Sequence, residues 1–311
     1  MTPPRLVLVL SENATLVPPR ELGALVSMAV EAESAGFDGV MVSEHVVLGA
    51  RADEGGVPLN PRDYALPGNQ DPATPWPSSL LLLAAITSVT SRLRLIASAV
   101  IPPLRHPLLI AKELATLDLL SRGRLVVQPT VSWHRAEYEA LGVPFTTRGA
   151  RLDEHLAAWS ILWRDGPATF EGVHYAFDEV WLEPKPFRPE GPRLWFGGQR
   201  LHDAILGRLV RYGHGFNPLG RPSDQDLRAL DRAMADAGRD PADLEIVGGT
   251  RGAFADADRP ASLDPALDQV PEQLERGAST ICFKLSQFTD DPGVIPELLR
   301  RIVDGVSARC P

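Results

Sequence analysis

Apolar residues along this chain gather into short runs separated by amphipathic stretches. Runs suited to strands buried on both faces are RLVLVL (5–10), FDGVMV (37–42), LRLIASA (93–99) and RLVVQP (124–129). RLWFGG (193–198), GFNP (215–218), LEIVGG (244–249) and STICFKL (279–285) follow. Between them apolar positions recur every three or four residues over 20–35, 78–90, 107–120, 150–163, 201–212, 223–237 and 293–307, which predicts helices. Gly36 stops the first helix, Pro107 opens the third, and Ser223 is placed to cap the one containing Asp226. Fully apolar strands alternating with helices predict a parallel sheet covered by helices. Eight such strands favour a closed (β/α)8 TIM barrel over an open doubly wound sheet. No G-x-G-x-x-G turn follows an early strand, so the dinucleotide-binding fold is disfavoured.

Two segments interrupt this rhythm. Residues 48–78 form a Gly/Pro/Asp-rich loop long enough to act as a lid or binding loop. Residues 164–192 contain FEGVHYAFDEVWLEP, whose alternation predicts a small hairpin at about 166–190 outside the barrel. With no internal repeat or low-complexity segment, residues 1–311 are expected to be one domain carrying these two insertions.

Composition narrows the function classes. A 44% apolar and 23% charged chain of 311 residues fits a globular protein with a sizeable core. The net charge of -9 disfavours general nucleic-acid binding, which requires clustered Lys and Arg. Cys282 and Cys310 make neither a disulfide framework nor a metal knuckle, which points to a reducing, cytoplasmic setting. The first apolar run, Leu6–Leu10, is too short for a signal peptide, and the longest, Leu80–Ile86, is too short to cross a bilayer. No membrane partner is expected.

Candidate chemistry lies where strands end, because α/β barrels place their active sites at the C-terminal face. The second strand breaks from Val40-Met41-Val42 into Ser43-Glu44-His45. The imidazole of His45 can exchange a proton with a reacting oxygen, although a histidine in this position also serves packing or capping. Other strand ends present Glu12, Ser98-Ala99, Thr130-Val131-Ser132-Trp133, and Gly197-Gly198-Gln199-Arg200. The paired glycines, read as directly preceding a helix, would offer backbone amides and a helix dipole to an anion, with Arg200 adding charge. A tight turn explains them equally well. Tyr64, Trp76 and Trp133 are candidate pocket walls, and small residues beside aromatics suit a flat ring with a phosphorylated tail. Scattered histidines, without H-x-H or H-E-x-x-H, predict no metal site. No G-x-S-x-G elbow is present. His155 shares a helix with Leu152, Leu156 and Trp159 and reads as structural, while Arg148 and Arg151 open that helix either as anion contacts or as solvated charges.

Several stretches, in this order and spacing, resemble the luciferase-like monooxygenase superfamily, in particular its bacterial branch of coenzyme F420-dependent (deazaflavin) oxidoreductases. They are AGFDGVMVSEH (35–45), TPWPSSLLLLAAITSVTSRLRL (74–95), PLRHPLLIAKELATLDLLSRGRL (103–125), WHRAEYEALGVPFTTRGARLDEHL (133–156), RLWFGG (193–198) and YGHGFNPLG (212–220). The resemblance implies a flavin-type ring at the strand C-termini, no metal, and a homodimer. It places His45 at the position of the family's active-site histidine. It maps the non-prolyl cis peptide that supports the ring to Ser98-Ala99, and it carries Gly197 and Gly198 over as a phosphate-contacting turn. The chain departs from the family after the fourth strand, reading Gln128-Pro129-Thr130-Val131-Ser132-Trp133 where a glycine-rich run is usual. Trp133 stands where some deazaflavin dehydrogenases have a catalytic Glu, and Gln199-Arg200 stand where Ser or Thr often follows the glycine pair.

The resulting expectation is hydride transfer between coenzyme F420 and a small organic substrate. His45 handles the proton, and Ser98, Ala99, Thr130, Val131, Ser132, Gly197, Gly198, Gln199 and Arg200 hold the cofactor. Glu12, Tyr64, Trp76 and Trp133 line the substrate pocket. An FMN-dependent two-component monooxygenase on the same fold is the alternative. A non-catalytic ligand-binding barrel, motivated by the altered fourth turn, is a third.

Overall fold

A computed structural model describes residues 3–310. The eight apolar runs become eight strands: β1 (Arg5–Val9), β2 (Gly39–Val42), β3 (Arg94–Val100), β4 (Leu125–Pro129), β7 (Arg193–Phe196), β8 (Gly215–Phe216), β9 (Glu245–Gly249) and β10 (Thr280–Phe283). They close in the order β1-β10-β9-β8-β7-β4-β3-β2, a (β/α)8 barrel. The alternating 164–192 segment forms β5 (Ala168–Glu171) and β6 (Ala176–Val180), an antiparallel pair separate from the barrel sheet. The predicted helices are α1 (Leu22–Ala35), α2 (Ser79–Thr87), α3 (Pro107–Leu120), α5 (Arg148–Leu162), α6 (Asp203–Tyr212), α7 (Asp224–Asp236) and α10 (Ile295–Arg309). Three short ones escape periodicity: α4 (Arg135–Ala140), α8 (Asp264–Leu267) and α9 (Val270–Glu275). Among the described residues, no helix is long and apolar enough to cross a membrane.

Two compact units divide the chain. The first comprises the residues up to Met41, Val57–Ala65, and those from Leu194 onward. Here β1 lies parallel to both β2 and β10, with Val7 opposite Gly39 and Cys282. Val7 and Leu8 are fully buried, each stabilising the fold by about 1.5–3 kcal/mol. Gly36 ends α1 at φ 103, a left-handed cap that a side chain would disfavour. The turn it starts carries Asp38 back to accept the Leu6 amide at 2.8 Å, which fixes how α1 returns to the sheet. α10 buries Ile295, Leu298, Leu299, Ile302 and Val306, one stripe at helical spacing, and packs on α1. Ser223 caps α7 reciprocally with Asp226.

The second unit comprises Val42–Gly56 and Leu66–Arg193. Strands β3 and β4 run parallel from Leu95↔Leu125 to Ser98↔Gln128, and the register then shifts by one residue before Val100↔Pro129. The Ser98-Ala99 peptide in this bulge is cis, at the position the resemblance assigned. α3 and α5 pack together, and α5 turns Leu152, His155, Leu156, Trp159 and Leu162 inward. His155 is fully buried between two backbone carbonyls, Arg151 O at 2.7 Å from Nδ1 and Arg105 O at 3.1 Å from Nε2. Burial pushes its imidazole down to about 4.

The 48–78 loop is ordered by its own hydrogen bonds. Its flanks close on each other through Gly55 N to Gly68 O (2.7 Å) and Gln70 N to Ala52 O (3.0 Å). Its middle belongs to the first unit, where Asn60 donates to Asp256 O (2.9 Å) and Arg259 O (2.8 Å), and Arg62 Nε donates to Asp290 (2.8 Å). Such ordering is expected of a functional loop rather than a loose connector.

Candidate active site

Strand β2 ends at Val42, and the next three residues diverge in role. Glu44 turns inward and is buried. Its carboxylate accepts hydrogen bonds from Ser79 Oγ (2.7 Å) at the start of α2, from Ile101 N (3.2 Å) beyond β3, and from Arg105 Nη1 (2.7 Å). The acid of the Ser43-Glu44-His45 triplet is thus a clamp joining three segments. An ion pair this enclosed persists because every oxygen has a donor.

His45 sits one residue on, with its side chain 8% exposed, and faces Glu137, which is fully buried. Its Nδ1 lies 3.3 Å from Glu137 Oε2. The other carboxylate oxygen accepts the Val46 amide at 2.5 Å, and Ser132 Oγ donates to Oε2 at 3.2 Å. Glu137 comes from α4, beside Tyr138, whose hydroxyl donates to Val131 O at 2.6 Å and is pushed up by burial. That bond ties α4 to the end of β4 and so fixes the distance from Glu137 to the strand ends.

Aromatic rings enclose His45. Trp76 meets it edge-on at 5.3 Å between centroids and Trp133 at 5.9 Å. These offset geometries are the favoured ones for aromatic pairs. His134, tilted against Trp133 at 4.7 Å, accepts the Gly49 amide through Nε2 at 2.6 Å. Its imidazole is pushed down by burial, which keeps that nitrogen free to accept. A side chain at Gly49 would place its Cβ 2.6 Å from Ala136 Cβ, so the loop can run this close to α4 only with glycine there.

The glycine-free turn after β4 has a conformational solution. Ser132 adopts φ 55, the left-handed region that glycine enters freely and other residues seldom do. Its hydroxyl repays the strain by donating to Glu137 and accepting His134 N at 3.3 Å. Thr130 continues the β3–β4 ladder through its amide to Val100 O at 2.9 Å. Ser98 Oγ donates to Gln128 Oε1 at 2.9 Å, joining the cis peptide to the neighbouring strand. His45, Trp76, Trp133, Ser98, Ala99, Thr130, Val131 and Ser132 therefore all lie in the second unit, and the contacts link His45 directly to Trp76 and Trp133 and, through Glu137, to Ser132.

Two other expected pocket residues meet in the first unit. Glu12, at φ 57, accepts the Ala65 amide at 3.3 Å, next to Tyr64. Lys284, directly after β10 and fully buried, donates to Asp63 O at 3.1 Å and lies 5.0 Å from the Tyr64 ring centroid. Burial pushes the Lys284 ammonium down and the Tyr64 hydroxyl well up, while Glu12 and Asp63 act to keep the lysine charged.

At the Gly197-Gly198 turn the structure corrects one expectation. Helix α6 begins at Asp203, beyond Gln199–His202, so its dipole does not act at the glycines. Gly197 is required by close backbone approach instead: a Cβ there would lie 1.7 Å from Asn217 O. The main-chain amides of Gly198, Gln199 and Arg200 have no hydrogen-bond partner among the described residues, which leaves them open to an anion.

Glu137, His134, Glu44, Arg105 and Lys284 are the groups that the sequence expectation did not assign to the site. Glu44 and Glu137 stood within quoted motifs, but an isolated acid on a polar segment reads as surface until its burial is known.

The sequence profile of luciferase-like monooxygenases matches residues 5–278. The uncharacterized protein Rv0953c of Mycobacterium tuberculosis (strain ATCC 25618 / H37Rv) is 32% identical over 273 residues, 86% of this chain and 89% of that protein. An FMNH(2)-dependent dimethylsulfone monooxygenase of Pseudomonas putida is 32% identical over 123 residues, 39% of this chain and 34% of its own. Among solved structures, an F420-dependent secondary alcohol dehydrogenase in complex with an F420-acetone adduct superposes with a TM-score of 0.72 at 16% identity, covering 98% of this chain and 99% of that one. At that identity the superposition establishes the fold alone. With its closed eight-stranded barrel and a profile match spanning most of its length, the chain belongs to the luciferase-like monooxygenase family.

Proposed function

We propose that this protein is a coenzyme F420-dependent oxidoreductase that moves a hydride between the deazaflavin and a small hydroxyl- or carbonyl-bearing substrate. The observation that carries the reading is His45, held at a strand end by a buried carboxylate and walled by two indoles, with Nε2 bearing no hydrogen bond among the described residues. The bound deazaflavin would supply a carbon centre that accepts or returns the hydride. For an alcohol, the substrate carbon gives up the hydride and its hydroxyl proton passes to His45 Nε2; reduction of a carbonyl reverses both transfers. Trp76 and Trp133 offer flat apolar faces that exclude water from a planar ring. Taken by itself, the first unit offers the open amides of Gly198, Gln199 and Arg200 to an anionic group.

A reduced-FMN monooxygenase is the second reading, favoured by the partial identity to the dimethylsulfone enzyme. Titrating the protein with each cofactor and following quenching of the indole fluorescence separates them. Tight F420 binding with turnover of a secondary alcohol or ketone is expected. Tight FMN binding, with oxygen consumption in the presence of a flavin reductase, replaces the first reading by the second. Failure of both at high micromolar cofactor leaves a non-catalytic ligand-binding barrel. In the F420 case His45→Ala lowers turnover about 100-fold with cofactor affinity nearly intact; unchanged turnover removes His45 from the mechanism. We further propose a homodimer, for which the exposed Leu81 of α2 and Leu109 and Leu120 of α3 offer apolar surface, testable by sedimentation.

A further inference from the structure

We infer that Glu137 is a positioning residue that holds neutral His45 as the Nδ1–H tautomer, leaving Nε2 as a bare acceptor for a hydroxyl proton. The argument follows from the hydrogen-bond inventory around one buried carboxylate. Glu137 has no solvent contact, so every partner of its oxygens comes from the protein. Oε1 accepts the Val46 amide. Oε2 is approached by Ser132 Oγ and by His45 Nδ1. The Ser132 hydroxyl oxygen already accepts His134 N, so its single proton is available to Glu137. A carboxylate can only accept, so the contact at 3.3 Å requires the proton of His45 to sit on Nδ1. A neutral imidazole carries one such proton, and Nε2 is then unprotonated.

The backbone fixes the same geometry from the other side. Val46 follows His45 directly, so the carboxylate that grips the Val46 amide also sets where the His45 ring can point. Trp76 and Trp133 limit ring rotation edge-on from two directions. Ser132 holds its positive φ while its hydroxyl bonds to both Glu137 and the His134 amide. Val46, Ser132 and His45 thus converge on one acid, as expected when a base must present a defined nitrogen. The consequence is directional: before reaction, the neutral histidine accepts a proton and does not donate one. That state serves an alcohol entering as substrate, and the protonated ring serves a carbonyl.

The catalytic consequence rests on the oxidoreductase reading; the tautomer does not. The full chain, labelled with nitrogen-15 at histidine, is observed by long-range proton–nitrogen correlation at mildly alkaline pH, where imidazole is neutral. The His45 signals are identified by their loss in His45→Ala. The expected wild-type pattern places the proton on Nδ1. In Glu137→Gln, the amide oxygen keeps the Val46 amide and the amide nitrogen faces His45, so the proton moves to Nε2. Turnover falls at least about 100-fold, the size of a lost general base, with substrate KM within about threefold. A Glu137 that merely packed α4 would leave the nitrogen pattern of a folded Gln variant unchanged. A wild-type proton on Nε2, or a folded Glu137→Gln with the wild-type tautomer and rate, overturns the inference. Should Glu137→Gln not fold, the wild-type spectrum alone decides. If neither cofactor binds while Nδ1 carries the proton, the oxidoreductase reading fails and the Glu137–His45 assignment stands.

Discussion

Two glycines in the same unit predict opposite outcomes for the same one-carbon change. Gly197 follows β7, and a Cβ there would sit 1.7 Å from Asn217 O and 2.6 Å from its carbonyl carbon. Backbone cannot swing aside as a side chain can, so this contact must open to about 3 Å or more. Two hydrogen bonds flank it: Asn217 N to Phe196 O (2.9 Å) and Leu219 N to Gly198 O (3.1 Å). Strand β8 has only Gly215 and Phe216 to hold it against β7. Losing both bonds costs about 1 kcal/mol each, and overpacking adds about 1–3 kcal/mol. Gly197→Ala is therefore destabilising by about 3–5 kcal/mol. Gly207 lies inside α6 with nothing within 4 Å of its absent Cβ. There the substitution relieves glycine's helix penalty, a gain of up to about 1 kcal/mol. An unfolding entropy of about 2.1 cal/mol/K per residue over 311 residues gives about 0.65 kcal/mol per degree. Circular-dichroism melts should then show Gly197→Ala lowered by about 5–8 °C and Gly207→Ala raised by about 1 °C. If Gly197→Ala melts within about 2 °C of the wild type, the reasoning from backbone approach is wrong.

Two further perturbations probe buried charge. Arg105→Met strips the buried Glu44 of its cation, leaving only Ser79 and Ile101 as donors, and should destabilise by about 3 kcal/mol in urea titrations. Pairing it with Glu44→Gln should restore most of that loss, and additive single effects in the double-mutant cycle would deny the coupling. His155, held near 4 when folded against the ordinary 6.5, resists a proton that the unfolded chain accepts. Its contribution is complete above the unfolded value and is lost as pH falls from 6.5 toward 4, by about 3 kcal/mol in all. His155→Gln should flatten the fall in melting temperature across that window, whereas parallel curves would show that His155 does not drive it.

The barrel was legible because its strands are buried on both faces, so apolar runs survive as runs whatever their neighbours. Helices with a deep stripe, such as α10, were equally plain. Helix α4 was not, since in its six residues only Glu137 and Tyr138 are buried and no apolar period can develop. His45 was visible as an imidazole breaking an apolar strand end. Its carboxylate partner, 92 residues away, was invisible because only the closed fold makes that acid buried. The glycine pair was legible as a special turn, either leading into a helix or tight in its own right; the constraint from the Asn217 backbone against Gly197 was not, because it comes from the residue after β8, which sequence cannot align in space. Lys284 read as the tail of a strand, and its burial is a tertiary property.

That burial has a practical side. Lysine occurs at only three positions in the chain, 112, 185 and 284. Lys112 is exposed and Lys185 partly so, whereas the Lys284 amine is sealed from reagents. Acylating dyes, biotin esters or activated sensor chips will therefore couple through Lys112, Lys185 or the terminal amine and leave Lys284 unmodified until the chain unfolds, so the acylation of Lys284 reports global unfolding.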